Sequence, residues 1–131
     1  MGCHTVIGKR RAGFTLIELL VVMSIIGVLL AIAVPRYFKT LERSRETVLK
    51  QDLSVMREAI DKHYGDYGQF PDSLQALVER KYIAAVPEDP ISKLRDAWAV
   101  DVSDDPDHPG IKDVHSTDEG SGSDGRPYKE W

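Results

Sequence analysis

The sequence holds a single cysteine in 131 residues, Cys3, which excludes an internal disulfide and any Cys/His cluster of zinc-finger type. The four histidines, His4, His63, His108 and His115, are too scattered along the chain to spell a zinc signature. Neither a nucleophile elbow nor a phosphate-binding glycine loop occurs, which sets aside the motif-bearing hydrolases and nucleotide enzymes. Basic residues run short toward the C-terminal end, where from Asp96 onward ten Asp or Glu stand against Lys112, Arg126 and Lys129. Such an acidic surface argues against a nucleic-acid partner, whose phosphates need Lys and Arg on one face, and leaves cation binding or plain solubility. Aromatic residues make up 8% of the chain. Tyr64, Tyr67, Phe70, Tyr82 and Trp98 read as core beneath a sheet rather than as a platform for stacked ligands.

What the chain does have is one long hydrophobic run. Phe14 to Val34 is apolar except for Thr15, Glu18, Ser24 and Gly27. As a helix it spans about 31 Å, enough to cross a bilayer. The remaining body, about ninety residues, is too small to enclose such a helix as its core. At 21 residues the run is long for the apolar core of a signal peptide, so it does not read as an ordinary cleaved secretory signal. Glu18 sits five residues into the run, shortly after Lys9-Arg10-Arg11. An ionised carboxylate at the centre of a membrane helix costs roughly 2.5 to 3.5 kcal/mol, so Glu18 demands a partner.

Pro35 follows, and its missing amide hydrogen predicts a bend or interruption. The helical pattern then resumes in Phe38, Leu41, Val48, Leu49, Leu53, Met56 and Ile60, with charged residues including Glu42, Glu46 and Arg57 assigned to the other faces. One long helix, apolar first and amphipathic second, is predicted to end near Gly65 to Gly68. A short second helix follows, with Asp72 as N-cap, Gln75 as its capping-box partner and a buried edge of Leu74, Leu77 and Val78. Pro87 and Pro90 impose an irregular connection. Ala97 to Val102 and Ile111 to His115 read as short strands joined through Asp104 to Gly110, and Tyr128 to Trp131 as a closing edge segment.

Gly13-Phe14-Thr15-Leu16-Ile17-Glu18-Leu19-Leu20-Val21-Val22 resembles the class III signal of type IV pilins and type II secretion pseudopilins. In the body, Tyr67-Gly68-Gln69-Phe70-Pro71, Leu74 to Val78, Tyr82-Ile83, Val86-Pro87 and Asp89-Pro90 resemble the major pseudopilin, the G subunit. The chain departs from that pattern at Asp89-Pro90-Ile91-Ser92, where the family has Asp-Pro-Trp-Gly, and in the insertion-like Lys93-Leu94-Arg95-Asp96. The resemblance implies an α+β, pilin-like fold in which a long N-terminal helix packs on a small antiparallel sheet with a short second helix. It also implies a cleaved leader over 1–13, a transmembrane and assembly helix over 14–35, and a periplasmic globular domain over 36–131.

The same resemblance implies that a prepilin peptidase cuts between Gly13 and Phe14 and methylates the new amino terminus of Phe14. The partner of Glu18 would be that amine in an adjacent subunit, an opposite charge able to fix axial register in low dielectric. Lys9-Arg10-Arg11 would hold the leader in the cytoplasm, although Arg36, Lys39, Arg43 and Arg45 on the other flank leave orientation open by charge alone. Gly27 and Pro35 would bracket a segment of weak helical stability, serving either as a packing kink or as a stretch that melts on assembly. Major pseudopilins carry calcium in the C-terminal loop, for which Ser116, Asp118, Ser123 and Asp124 are the candidate ligands here, with no EF-hand spacing.

The function implied is that of a non-enzymatic structural subunit of a type II secretion pseudopilus. Such a subunit sits in the bacterial inner membrane, in contact with lipid, and then polymerises with itself into a periplasmic filament that drives protein secretion. Minor pseudopilins and an inner-membrane assembly platform are the further partners implied. The alternative is the pilin of a type IV pilus for adhesion, motility or DNA uptake. A third class is a membrane-anchored calcium-binding or enzymatic domain that never polymerises.

Overall fold

A computed structural model describes residues 1–3 and 13–131; Lys9-Arg10-Arg11, and with them most of the expected leader, lie outside the described residues. The elements run α1 (Leu16–Tyr67), α2 (Leu74–Glu79), β1 (Trp98–Val102), β2 (Ile111–Ser116) and a closing 3-10 turn, η1 (Tyr128–Glu130). This is the α+β, pilin-like arrangement that the sequence predicts. The chain divides into two compact units, Met1–Phe38 and Lys39–Trp131, and the division falls inside α1.

In the first unit α1 passes through Pro35 without an interruption. Proline removes one backbone donor, and the helical residues on both sides hold the turn despite that loss. The apolar residues of this unit face outward, Leu16, Ile17, Leu20, Val28 and Leu29 among them.

In the second unit, Glu46, Leu49, Leu53, Met56, Ala59, Ile60 and His63 form the buried stripe of α1. Their three- and four-residue steps place them on one face of the helix. Two residues predicted for that stripe lie off it, since Phe38 and Val48 are exposed. Against the stripe pack Leu77 of α2, Ile83, Trp98 of β1, Ile111 and Val114 of β2, and Tyr128 and Trp131. Tyr67, predicted as core, is exposed, and the Arg80 guanidinium lies 4.1 Å over its ring. Gly68 ends α1 with φ +69°, the left-handed geometry glycine adopts freely.

The second helix starts one residue later than the sequence predicts. Its N-cap is Ser73, whose hydroxyl accepts the Ala76 N–H at 3.1 Å, so Asp72 and Gln75 form no capping box. The strands pair antiparallel, Trp98 opposite Ser116, Ala99 opposite His115 and Asp101 opposite Asp113. Val102 then pairs with Ile111, leaving Lys112 as the extra residue of a bulge that brings both Ile111 and Val114 into the core. The segment predicted to close the sheet is instead a 3-10 turn. Pro127 offers no amide for a ladder, and a three-residue turn lets both Tyr128 and Trp131 reach the core.

Gly110 is the tightest point of the connection. Its φ is +121°, and a Cβ there would lie 2.6 Å from the Phe70 carbonyl oxygen, which is backbone and cannot yield cheaply. The next residue, Ile111, donates its N–H to Pro71 O at 2.8 Å and so ties β2 to the entry of α2. Gly110→Ala is therefore expected to destabilise the second unit by about 1–3 kcal/mol. Denaturant unfolding followed by the fluorescence of the buried Trp98 and Trp131 would measure the loss.

Candidate functional site

At the start of α1, Thr15 and Glu18 close on each other. The Thr15 N–H donates to Glu18 Oε2 at 3.0 Å, and the Glu18 N–H donates to Thr15 Oγ1 at 3.2 Å. This is a reciprocal capping box, with Thr15 as N-cap and Glu18 three residues on, and it satisfies two of the helix's unpaired donors. The T-x-x-E spacing is legible in Thr15-Leu16-Ile17-Glu18, yet sequence reasoning assigned Glu18 a partner only in another subunit. Ser24, a third polar residue of the run, donates its hydroxyl to Leu20 O at 2.8 Å. Hydrogen bonding within the apolar segment is thus met locally. The charge of Glu18 is not met by any ion pair among the described residues.

Beyond the capping box the helix presents apolar side chains on all sides, and among the described residues it is the one helix long and apolar enough to cross a membrane. Gly13 and Phe14 immediately precede the box, outside helical structure and exposed.

The C-terminal loop is organised by two buried carboxylates that sequence reasoning missed. Glu46 accepts the Ser123 N–H and the Ser123 hydroxyl, each at 2.7 Å, and the Tyr128 hydroxyl at 3.3 Å. Its signal was its phase, three residues before Leu49 on the buried stripe, although its charge placed it with the solvent-facing residues. Asp89, fully buried, accepts the Ile91 N–H at 2.8 Å and the Ser116 hydroxyl at 2.6 Å. Asp52 lies close enough to feel it: burial, and then the Asp89 charge, push the Asp52 carboxyl above the usual carboxylate range.

The four candidate calcium ligands are engaged in different ways. Ser116 is enclosed, and its oxygen both donates to Asp89 and accepts the Asp118 N–H at 3.2 Å, so it does not fit as a cation ligand. Ser123 is committed to Glu46 through both its amide and its hydroxyl. One oxygen of Asp118 accepts the Gly120 N–H at 2.7 Å, and one of Asp124 accepts the Arg126 N–H at 3.0 Å. Asp118 and Asp124, with loop carbonyls and the Ser123 oxygen, are the atoms a hard cation would draw on.

Residues 8–34 match the family described as the prokaryotic N-terminal methylation motif. The chain is 33% identical over 98 residues to the type II secretion system core protein G of Klebsiella pneumoniae, covering 63% of this chain and 70% of that one. It is 35% identical over 69 residues to the core protein G of Pseudomonas aeruginosa, covering 53% and 49%. To the type IV major pilin protein PilA of Myxococcus xanthus it is 38% identical over 63 residues, covering 48% and 29%. The chain thus spans about half the length of the Pseudomonas relative and less of the Myxococcus one. No solved structure matches it. Together with the fold, these matches place the chain in the type IV pilin-like family. Within that family its relatives include both secretion core proteins and pilins.

The contact between Tyr128 and Glu46 carries a pH dependence. Burial first, and then the neighbouring Glu46 charge, hold the Tyr128 phenol above its ordinary range. The folded state therefore keeps the phenol proton more tightly than the unfolded state does. The associated stability is complete below the ordinary phenol pKa of about 10 and is lost as pH rises through the higher folded value. Melting temperatures measured across alkaline pH should fall less steeply in Tyr128→Phe than in the wild type.

Proposed function

We propose that this chain is a structural subunit of a type II secretion pseudopilus, processed between Gly13 and Phe14 and polymerised through the first part of α1. The observation that carries this reading is the outward-facing apolar helix whose lone carboxylate, Glu18, lies four residues after Phe14. Surface of that extent must be covered by lipid or by protein. Lipid covers it before assembly, and neighbouring copies of the same helix cover it afterwards. The core protein G of Klebsiella pneumoniae aligns over 98 residues, which extends the likeness into the body and supports the secretion reading.

The amine created at Phe14 supplies the counter-charge that Glu18 lacks, in a neighbouring subunit. The capping box already satisfies hydrogen bonding at Glu18, so what the neighbour contributes is charge neutralisation and register. The leader faces the cytoplasm, where a prepilin peptidase acts, and the second unit faces the periplasm. Minor pseudopilins and an inner-membrane platform complete the assembly, and the reading assigns no catalytic role. The second reading, a pilin of a type IV pilus, is favoured by the likeness to PilA. Filaments extending from the cell surface, in place of a periplasmic filament beneath an outer-membrane secretin, would favour it.

Glu18→Gln separates the two roles of the carboxylate, because glutamine keeps the capping box and removes the charge. The variant is expected to insert normally, with its N-terminus cut and methylated at Phe14 by mass spectrometry, and to yield few filaments by electron microscopy of shear fractions. Wild-type filament yield in Glu18→Gln would refute the charge pairing. Wild-type chains that all begin at Met1 would refute the processing.

Calcium binding at Asp118 and Asp124 belongs to the same proposal. Calorimetric titration of the wild type with Ca2+ should show one site and a rise in melting temperature, both lost in Asp118→Ala/Asp124→Ala. Absence of binding to the wild type would dismiss it.

A further inference from the structure

The outer face of the β1–β2 hairpin gathers three ligand-bearing residues that lie far apart in the sequence. Asp101 and Asp113 are direct cross-strand partners, and His115 is two residues along β2 from Asp113, so the pleat sets all three on one face. The bulge begins immediately after Asp101. His115 Nε2 lies 3.0 Å from Asp101 Oδ2 and 3.4 Å from Asp113 Oδ2, and the three ligand atoms fall within 4.8 Å of one another. Ligands of a tetrahedral zinc ion, bound at about 2.0–2.2 Å, stand about 3.4 Å apart. Both separations from His115 are therefore close to the required spacing, and the third lies within 4.8 Å.

The histidine is also oriented as a ligand. Its Nδ1 lies 2.9 Å from the Trp131 backbone oxygen, which only accepts, and 3.4 Å from Arg57 Nη2, which only donates. The nearer oxygen fixes the ring proton on Nδ1. In the neutral ring this leaves Nε2 as a lone pair aimed at two carboxylate oxygens, with no proton to join them. Like charges directly opposite on paired strands are destabilising, so a cation between Asp101 and Asp113 would relieve the face. Arg57 supplies part of that relief by binding Asp113 Oδ1 at 2.8 Å, and its position leaves Asp113 Oδ2 toward His115. A ring nitrogen held by a carbonyl while the other meets carboxylates is the second-shell arrangement of metal-bound histidines. Lys129 and Thr117 border the same depression, which is open to solvent and gives an ion a path in.

We propose that Asp101, Asp113 and His115 bind a divalent zinc ion, with water completing its coordination. One imidazole nitrogen among three ligands disfavours calcium and magnesium, which take oxygen throughout, and the lack of sulfur disfavours cuprous copper. The site is separate from Asp118 and Asp124, so the two cation proposals stand or fall independently. It would pin the hairpin to the Trp131 backbone through His115.

The test is calorimetric titration of the full chain in detergent micelles with ZnCl2, alongside imidazole nitrogen resonances of His115. Asp101→Asn is the informative variant, because Asp101 is exposed and its carboxylate meets His115, leaving Arg57 and Trp131 in place. Zinc affinity should fall at least about tenfold in Asp101→Asn and in His115→Gln, and the Nε2 resonance should shift on zinc addition in the wild type only. Cys3 and His4 are present in every variant, so the difference between proteins reads this site alone. Equal zinc binding by wild type and Asp101→Asn would overturn the proposal. So would a His115 ring that stays doubly protonated, bridging the two carboxylates, at saturating zinc.

Discussion

The second unit depends on a carboxylate buried where an apolar residue would ordinarily sit. Glu46 occupies the stripe that α1 turns toward the core, and a charge there is tolerable only if its oxygens are hydrogen-bonded. Ser123 supplies two donors and Tyr128 a third, so the loop after β2 is tied to the helix it crosses. With the loop fixed, Tyr128 and Trp131 join the core cluster that includes Leu49 and Leu53. Asp89 repeats the device on the connection before β1, collecting two amides and the Ser116 hydroxyl. Irregular segments are thereby held to the core without the ladder hydrogen bonds that regular strands would provide.

The first unit presents the opposite situation. Its apolar side chains are exposed among the described residues, and three polar residues of the run bond at very short range, Thr15 with Glu18 and Ser24 with Leu20. A helix that closes its own hydrogen bonds in this way is suited to an environment without water. Glu18 is the exception, because a hydrogen bond from an amide does not neutralise a carboxylate.

The two units were not equally legible in the sequence. The apolar run, the end of α1 at Gly68 and both strands follow from local composition and periodicity, which act over a few residues. Glu46 was assigned to the wrong face because charge is a stronger surface signal than phase, and only the loop's donors reverse it. Tyr128 to Trp131 read as a closing edge segment, whereas a tight turn is what lets both Tyr128 and Trp131 be buried. The N-cap of α2 fell one residue away because aspartate and serine are both good caps, and the choice between them depends on where the chain leaves Pro71.

The hairpin face shows the same limit in a sharper form. Four scattered histidines carry no metal signature in one dimension, because metal motifs are recognised by ligands a few residues apart on one element. Here the spacing that matters is set by strand register: Asp101 meets Asp113 across the ladder, and the skipped Lys112 determines which neighbour of Asp113 shares its face. Had the bulge fallen one pair later, on the far side of Asp113, the register of His115 relative to Asp101 would change and the three ligand atoms would separate. A single extra residue in β2 therefore controls both which side chains enter the core and which functional groups meet outside it.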